Sequence, residues 1–256
     1  MSASTRSVVL PGWRRIPGPP RDRVKARLLR LYVALARRLG PQRPLPGSSA
    51  YEIALGAVLA HGTAGFDAER ALAALRARRL LEPRRLMAVP EAALVEIVRG
   101  VSPPARRTGR PRSTGSSRLD AHRLRDFTRW LVTRFGGRFH EPRRAPLAAL
   151  RAELLAVPGL GPETVDAILL HAANRPVFVA NAPTRRVLVR HRVIPADADY
   201  EAARAFLEAH LPSDPALFRE FHALLVEVGK RYCGVSPTCA GCPLRADLGG
   251  RAPAGF

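Results

Sequence analysis

A glycine turn in the second half of the chain has the residues of a backbone anion site. The stretch VPGLGPETVDAILLHAANRPVFVANAPTRR, from Val157 to Arg186, places Gly159 and Gly161 between two segments of helical periodicity. Glycine permits a positive φ and a close approach of the backbone to a ligand. Backbone N–H groups at such a turn, beside a helix N-terminus, can bind an anion without any side chain. Two helices joined by this turn are therefore predicted over 146–173, although a Gly-x-Gly turn can also be only a tight connection.

Two carboxylates follow the turn, and an amide lies further along. Glu163 and Asp166 are spaced i, i+3, so they can share one helix face near the turn. A carboxylate there could act as a base. The helix dipole alone also favours an acid such as Glu163 in a first turn, and Asp166 could be an ordinary residue of the polar face. Asn181 carries no charge, and an amide is not a useful base at neutral pH.

The three cysteines of the chain lie close together near its C-terminus. Their spacing is Cys233-x5-Cys239-x2-Cys242 in an otherwise cysteine-free sequence. This pattern makes a poor disulfide framework and favours a metal cluster. Asp247 is a candidate for a further ligand. Zinc held by three Cys and an Asp or His is one alternative, and a loop without metal is the other.

The charge balance predicts a polyanionic partner. The 256 residues include 42 basic and 21 acidic side chains, which give a formal net charge of +21. Such an excess favours nucleic acid, because each neutralised phosphate releases condensed counterions. Codon bias could explain why Arg almost replaces Lys, which occurs only at Lys25 and Lys230. It would not explain the twofold excess of basic over acidic residues.

No segment of the sequence indicates a membrane or a secretory pathway. No apolar run approaches the length of a membrane span, and the N-terminal apolar run is too short for a signal peptide. We therefore expect a cytoplasmic protein that associates with the nucleoid through DNA and has no membrane partner. A monomer is expected.

Helical periodicity covers most of the chain and predicts an all-α fold. A first helix begins near Arg21 and stops at Gly40, and a second is capped by Ser48 or Ser49. Further helices are predicted over 66–80, 90–99, 119–135, 146–156, 163–173, 182–191, 199–210 and 215–231. Residues 1–20 are a basic flexible arm, and 102–117 are a basic loop that is either a solvated insertion or a contact to the DNA backbone.

The stretch from Val157 to Arg186 resembles the helix-hairpin-helix signature of the endonuclease III family of DNA glycosylases. The resemblance continues over 51–75, 123–137 and 221–233. The sequence pattern is closer to the endonuclease III-related monofunctional glycosylases than to the bifunctional enzymes. It implies two helical lobes that flank a DNA-binding cleft: 21–47 with 182–256, and 48–181. A damaged base would be flipped into a pocket at this cleft, because its glycosidic bond is inaccessible inside a duplex.

The resemblance also implies which residues contact double-stranded DNA with damaged or abasic sites. The hairpin residues would hold the backbone 3′ of the lesion, and their carbonyls are candidate ligands for a monovalent cation. Two arginines after the hairpin would add phosphate contacts. The residues concerned are Val157, Gly159, Leu160 and Gly161 of the hairpin, then Arg185 and Arg186.

Three positions depart from the family pattern. Glu163 stands where bifunctional members have a Schiff-base lysine, and a carboxylate cannot form an imine with the sugar. Asn181 stands at the catalytic aspartate, which leaves Glu163 or Asp166 as candidates for the missing carboxylate. His61 stands at a glutamine that fills the hole left by the flipped base. Histidine could still fill that hole, or it could simply be a polar helix end.

The resemblance assigns the cysteine loop, 233–248, to a [4Fe–4S] cluster. The family uses four cysteines, and Cys233, Cys239 and Cys242 match the first three. The fourth position is Leu248, which cannot bind iron. One iron of a cubane tolerates a ligand other than thiolate. We therefore expect a cluster held by three Cys with Asp247 or solvent as the atypical fourth ligand.

Two functions follow from these features. The first is a base-excision-repair DNA N-glycosylase without lysine-dependent lyase activity, weak or altered, that removes an oxidised or alkylated base by water attack. The second is a catalytically silent module that binds distorted or abasic DNA. A redox or structural protein that does not bind DNA is a more remote third. Fold analogy supports the first two equally, because function depends on the site.

Overall fold

A computed structural model describes residues 23–42, 47–60, 65–100, 114–139 and 145–250. The predicted arm 1–20, His61 and most of the predicted loop 102–117 lie outside these residues. Within the described segments the chain forms helices and no strand, which confirms the all-α prediction. None of the helices in these segments has the length and apolar character needed to cross a bilayer.

The described segments contain eleven α-helices, which largely follow the predicted pattern. They are α1 (Arg23–Leu39), α2 (Ala50–Ala60), α3 (Gly65–Ala77), α4 (Pro83–Ala88), α5 (Glu91–Gly100), α6 (Thr114–Phe135), α7 (Leu147–Leu155), α8 (Pro162–Ala167), α9 (Ala182–Arg190), α10 (Tyr200–His210) and α11 (Pro215–Arg231). Helix α2 begins as predicted from its serines: Ser49 Oγ accepts the Glu52 N–H at 3.2 Å, and the Glu52 carboxylate accepts the Ser48 N–H at 2.8 Å. Ser49 is thus the N-cap, and Glu52 accepts from the residue before it, so the arrangement differs from a capping box by one residue.

Two helical features differ from the prediction. Helix α4 was missed because it has only six residues and buries one of them, Leu86, so it shows no periodicity. Helix α6 begins at Thr114, within the predicted loop 102–117. The small Ser117 is completely buried there. Since Ser and Gly are also typical of loops, the sequence did not reveal this additional turn.

The buried side chains form two hydrophobic clusters. The first runs from Tyr51 to Val177 and includes residues of α2 to α8. The second combines α1 with the chain from Phe178 to Leu244. Because Val177 belongs to the first cluster and Phe178 to the second, the chain passes between them immediately before Asn181.

A π-helical turn, Ile168–Ala172, continues α8 and lies between the two clusters. Its hydrogen bond from Ala173 N to Ile168 O, at 3.0 Å, spans five residues. The neighbouring side chains Leu169 and Leu170 are both fully buried, the first in cluster one and the second in cluster two. The wider turn is consistent with the burial of these two neighbouring side chains in different clusters. Turns of π-helix occur frequently at functional sites.

Candidate active site and cysteine loop

The hairpin turn between α7 and α8 has the predicted positive φ at Gly159 but not at Gly161. Gly159 has φ +79° and is exposed. Gly161 caps α8 with φ −88° and ψ 170°. Val157 and Leu160 are buried, and the Leu160 N–H closes the turn on Val157 O at 3.2 Å. Any ligand of this turn is therefore contacted through the main chain, and the two apolar side chains anchor the turn to cluster one.

Arg123 of α6 lies across this turn, and it was not predicted as a site residue. A Cβ atom built on Gly159 would lie 3.0 Å from Arg123 Cγ and 3.3 Å from Arg123 Nε. The guanidinium also donates to Asp120 Oδ1 at 3.2 Å, and the Arg123 side chain is 16% exposed. Arg123 and Gly159 are far apart in the sequence, so only the fold brings this positive charge to the turn.

The two hairpin glycines should respond differently to substitution. Gly159→Ala should lower the free energy of unfolding by about 1–2 kcal/mol, the cost of a left-handed conformation for a residue with a Cβ. It also crowds Arg123. Gly161→Asn should keep the melting temperature, since Asn is a good N-cap and a Cβ on Gly161 would meet no atom within 4 Å.

Both variants should bind duplex DNA more weakly than the unmodified protein, because Gly159 and Gly161 let the backbone approach a phosphate closely. Fluorescence anisotropy with duplex DNA and thermal unfolding of the same samples measure the two effects. Unchanged affinity in Gly161→Asn would show that the turn does not contact DNA.

Asn181 forms the N-cap of α9. Its Oδ1 accepts the Thr184 N–H at 3.1 Å, and the residue is only half-buried. The preceding residues, 177–180, are buried. His222 Nδ1 lies 2.9 Å from Val179 O. Burial lowers the pKa of His222 to about 4, so the neutral ring donates this hydrogen bond at pH 7. Asn181 is thus fixed at the N-terminus of α9 through its Oδ1 atom. Capping does not use its Nδ2 amide group.

Asp166 lies in a buried ion pair and not on a polar face. Its carboxylate is completely buried and accepts from Arg151 Nε at 2.7 Å and Arg151 Nη2 at 3.0 Å. Tyr200 Oη donates to it at 2.9 Å. Burial raises the pKa of Asp166, while the Arg151 guanidinium opposes that rise. The alternative that Asp166 is an ordinary residue of the polar face is therefore wrong: Asp166 joins α8 to α7 and α10.

Glu163 is the carboxylate that stays partly accessible beside the turn. It stands in the first turn of α8 and is half-buried. Burial, followed by the charge of Asp166 and more weakly that of Glu163, raises the pKa of Tyr200. Glu163 therefore lies within electrostatic range of the same network. Its proposed catalytic role stays a prediction.

Arg186 and Arg185 have protein partners. Arg186 Nε donates to Cys233 O at 2.5 Å, and its Nη2 donates to Gly229 O at 3.1 Å, near the end of α11. Arg185 Nη1 donates to Ala198 O at 3.4 Å. The phosphate contacts of Arg185 and Arg186 stay predictions; Arg186 already donates two of its five N–H groups to main-chain carbonyls.

The cysteine loop is held from one side by Arg190, the last residue of α9. Arg190 Nη1 donates to Cys233 Sγ at 3.2 Å and to Gly234 O at 2.6 Å, and Nη2 donates to Val235 O at 2.9 Å. Cys233 is buried, whereas Cys239 and Cys242 are half-buried. Burial raises the pKa of the Cys242 thiol, and the charges of the other two thiols add to this.

Asp247, the predicted fourth ligand, is bound elsewhere. Its carboxylate accepts from Arg27 Nε at 3.0 Å and from Arg27 Nη2 at 2.7 Å, and His191 Nδ1 lies 3.0 Å from Oδ2. Despite partial burial, His191 and Arg27 hold the pKa of Asp247 below its usual range. In the part of the chain that the structure describes, no three His, Cys, Asp or Glu side chains form a group that could hold a metal ion. Asp247 is therefore engaged away from the three cysteines, and the cluster itself, which rests on the resemblance, stays a prediction.

Comparison with known proteins identifies relatives with this fold. No protein-family model matches the chain. It is 34% identical over 219 residues to a Methanocaldococcus jannaschii protein that carries the name of a DNA repair glycosylase, and the match covers 85% of this chain and 94% of that protein.

Two solved structures show the same fold at low sequence identity. A trapped endonuclease III–DNA covalent intermediate matches with a TM-score of 0.69 and 19% identity, over 87% of this chain and 94% of the other. An H. pylori 3-methyladenine DNA glycosylase bound to 1,N6-ethenoadenine matches with a TM-score of 0.63 and 21% identity, over 81% and 97%. Together with the hairpin geometry, the relative from M. jannaschii establishes that the chain belongs to the endonuclease III family of helix-hairpin-helix DNA glycosylases.

Proposed function

We propose that the protein is a base-excision-repair DNA glycosylase that removes a damaged base from double-stranded DNA by water attack. The observation that carries this proposal is the path from the hairpin to Asn181. The turn presents the backbone of Gly159 and Gly161 beside Arg123, and the same chain then runs through the π turn to the head of α9. A backbone turn suited to a phosphate and a helix N-terminus in one continuous segment suit an enzyme that fixes the backbone while it acts on one nucleotide.

The residues at the site support a monofunctional reaction. Glu163 offers no amine for an imine with the sugar. Of the two lysines of the chain, Lys25 lies on α1 and Lys230 on α11, which packs against α9, so both lysines need to be tested. Water is then the nucleophile that replaces the base. A monovalent cation on the hairpin carbonyls and a monomeric state remain predictions.

Borohydride should trap no lysine-dependent complex between the protein and abasic-site DNA. Reduction captures an imine only where an amine reaches C1′ of the sugar, and Glu163 cannot supply one. Denaturing gel electrophoresis of borohydride-treated mixtures gives the measurement, and Lys25→Met with Lys230→Met are the matched controls. A complex that disappears in either variant would show that the fold brings this lysine to the site and that the enzyme is bifunctional.

A silent DNA-binding module is the second candidate, and the state of two side chains favours it. Asn181 supplies no charge, and the Asp166 carboxylate is enclosed by Arg151 and Tyr200. Apart from Glu163, the predicted carboxylates of the site are thus missing or engaged. In this case the hairpin would hold damaged or abasic DNA without turnover.

A glycosylase assay on a panel of lesions separates the two candidates. Duplexes would each carry one oxidised or alkylated base. The panel includes 3-methyladenine and 1,N6-ethenoadenine, because the H. pylori 3-methyladenine DNA glycosylase of the same fold is bound to 1,N6-ethenoadenine. Alkali then cleaves any abasic product. Product from at least one lesion supports the enzyme. Salt-sensitive binding with no product from any lesion supports the module, and affinity that does not change with salt contradicts both.

A further inference from the structure

One carboxylate joins the cysteine loop to helix α1. Arg27 in α1 and Asp247 in the cysteine loop are 220 residues apart in sequence, yet they form two hydrogen bonds, of 3.0 and 2.7 Å. Arg27 Nη2 also donates to His191 O at 2.5 Å, and the His191 ring contacts the same carboxylate. The Asp247 side chain is 14% exposed and the His191 side chain 8%. Three segments thus meet at one partly buried acid.

A second set of contacts holds the other end of the same loop. Arg190 is 5% exposed and donates to Cys233 Sγ and to the carbonyls of Gly234 and Val235. Arg186 adds a hydrogen bond to Cys233 O. Both arginines belong to α9, and His191 follows α9 directly. Helix α9 therefore contacts the loop at its start, near Cys233, and at its end, at Asp247.

We infer that Asp247 is a structural lock and not a cluster ligand, and that this side-chain network fixes the cysteine loop without metal. The lock consists of Arg27, His191 and Asp247. An acid that accepts two hydrogen bonds from a guanidinium and contacts an imidazole has three of its roughly four lone-pair sites occupied. Iron bound through Asp247 would compete with Arg27 and His191 for the carboxylate oxygens and weaken the ion pair with Arg27. Cys239 and Cys242 then remain half-buried free thiols.

The lock should appear in thermal unfolding of the chelator-treated, full-length protein. Asp247→Asn keeps the shape but removes the charge that Arg27 faces, and we expect the melting temperature to fall by about 5–10 °C. Arg27→Met should cause at least as large a fall, because it also loses the hydrogen bond to His191 O, and the double variant should fall no further than Arg27→Met, because Arg27 and Asp247 share one interaction. Glu227→Gln, which breaks the surface pair of Glu227 with Arg231 on α11, is the matched control and should change little.

Thiol counting keeps the inference testable if Asp247→Asn does not fold. With dithionitrobenzoate as the probe, the native protein as isolated should show two fast thiols, and the third should react only after denaturation because Cys233 is buried and bound by Arg190. Cys239→Ala and Cys242→Ala should each remove one fast thiol. Iron bound in stoichiometric amounts with no reactive native thiol, or iron lost specifically in Asp247→Asn, would overturn the inference. So would an unchanged melting temperature in both Asp247→Asn and Arg27→Met.

Discussion

Replacing Asn181 with Asp is expected to increase the rate of base excision on at least one lesion by roughly a hundred- to a thousandfold. Departure of the base builds positive charge on the sugar, and a fixed carboxylate in a water-poor pocket stabilises that charge. Asn181 uses Oδ1 to cap α9, so its other terminal group is an amide nitrogen whose hydrogens carry partial positive charge. In the Asp variant this group becomes a carboxylate oxygen, which has the sign that the reaction needs.

The fold should accept this variant without loss of stability. Asp caps helices as well as Asn does, and a negative charge at a helix N-terminus is favoured by the helix dipole. Asn181→Ala is the matched control, since it loses the hydrogen bond to Thr184 and should cost about 1 kcal/mol of stability with no gain in rate. Single-turnover excision on the lesion panel measures the rate, and affinity for intact duplex should change little.

Glu163→Gln decides what the unmodified protein does. If this change abolishes excision, Glu163 in the first turn of α8 supplies the catalytic carboxylate in place of residue 181, and the protein is an active enzyme. If it has no effect and Asn181→Asp gains nothing on any lesion, the pocket has lost more than one residue. DNA binding is then the remaining function.

The sequence predicted those features that depend on neighbouring residues. The hairpin follows from two glycines, a proline and a period of 3.6, so the turn at Gly159 and the helices beside it could be placed without a structure. The helix predicted over 182–191 also depends on neighbouring residues, and α9 begins at Ala182 as predicted. Short-range patterns of this kind can be interpreted from the sequence, because the residues that determine the local structure are neighbours in the chain.

The partners of the charged residues could not be predicted in the same way. Asp166 pairs with Arg151 and with Tyr200, which are 15 and 34 residues away, and Asp247 pairs with Arg27 at a separation of 220. Helical spacing identifies neighbours only at i±3 and i±4. Asp166 therefore resembled a residue of the polar face, and Arg123 at the hairpin was not recognised.

Arg151→Met is expected to destabilise the protein by about 3–5 kcal/mol, the cost of leaving one member of a buried ion pair without its partner. The Asp166 carboxylate is completely buried and would keep only the Tyr200 hydroxyl and Arg204, whose Nε is 3.8 Å away. Arg134→Met is the matched control, because it breaks an exposed pair with Glu153, which also lies on α7. Exposed pairs contribute about 0–1 kcal/mol. Chemical denaturation followed by circular dichroism measures both.

A second substitution tests whether the charge itself causes the loss. Asp166→Asn in the Arg151→Met background removes the uncompensated carboxylate, so it should recover part of the lost stability, whereas independent sites would give an additive loss. Because the pair joins α7 and α8 to α10, Arg151→Met should also weaken DNA binding under conditions in which the protein is still folded. If Arg151→Met loses no more stability than Arg134→Met, Asp166 does not depend on this guanidinium. Its carboxylate would then again be a candidate for the chemistry that Asn181 cannot perform.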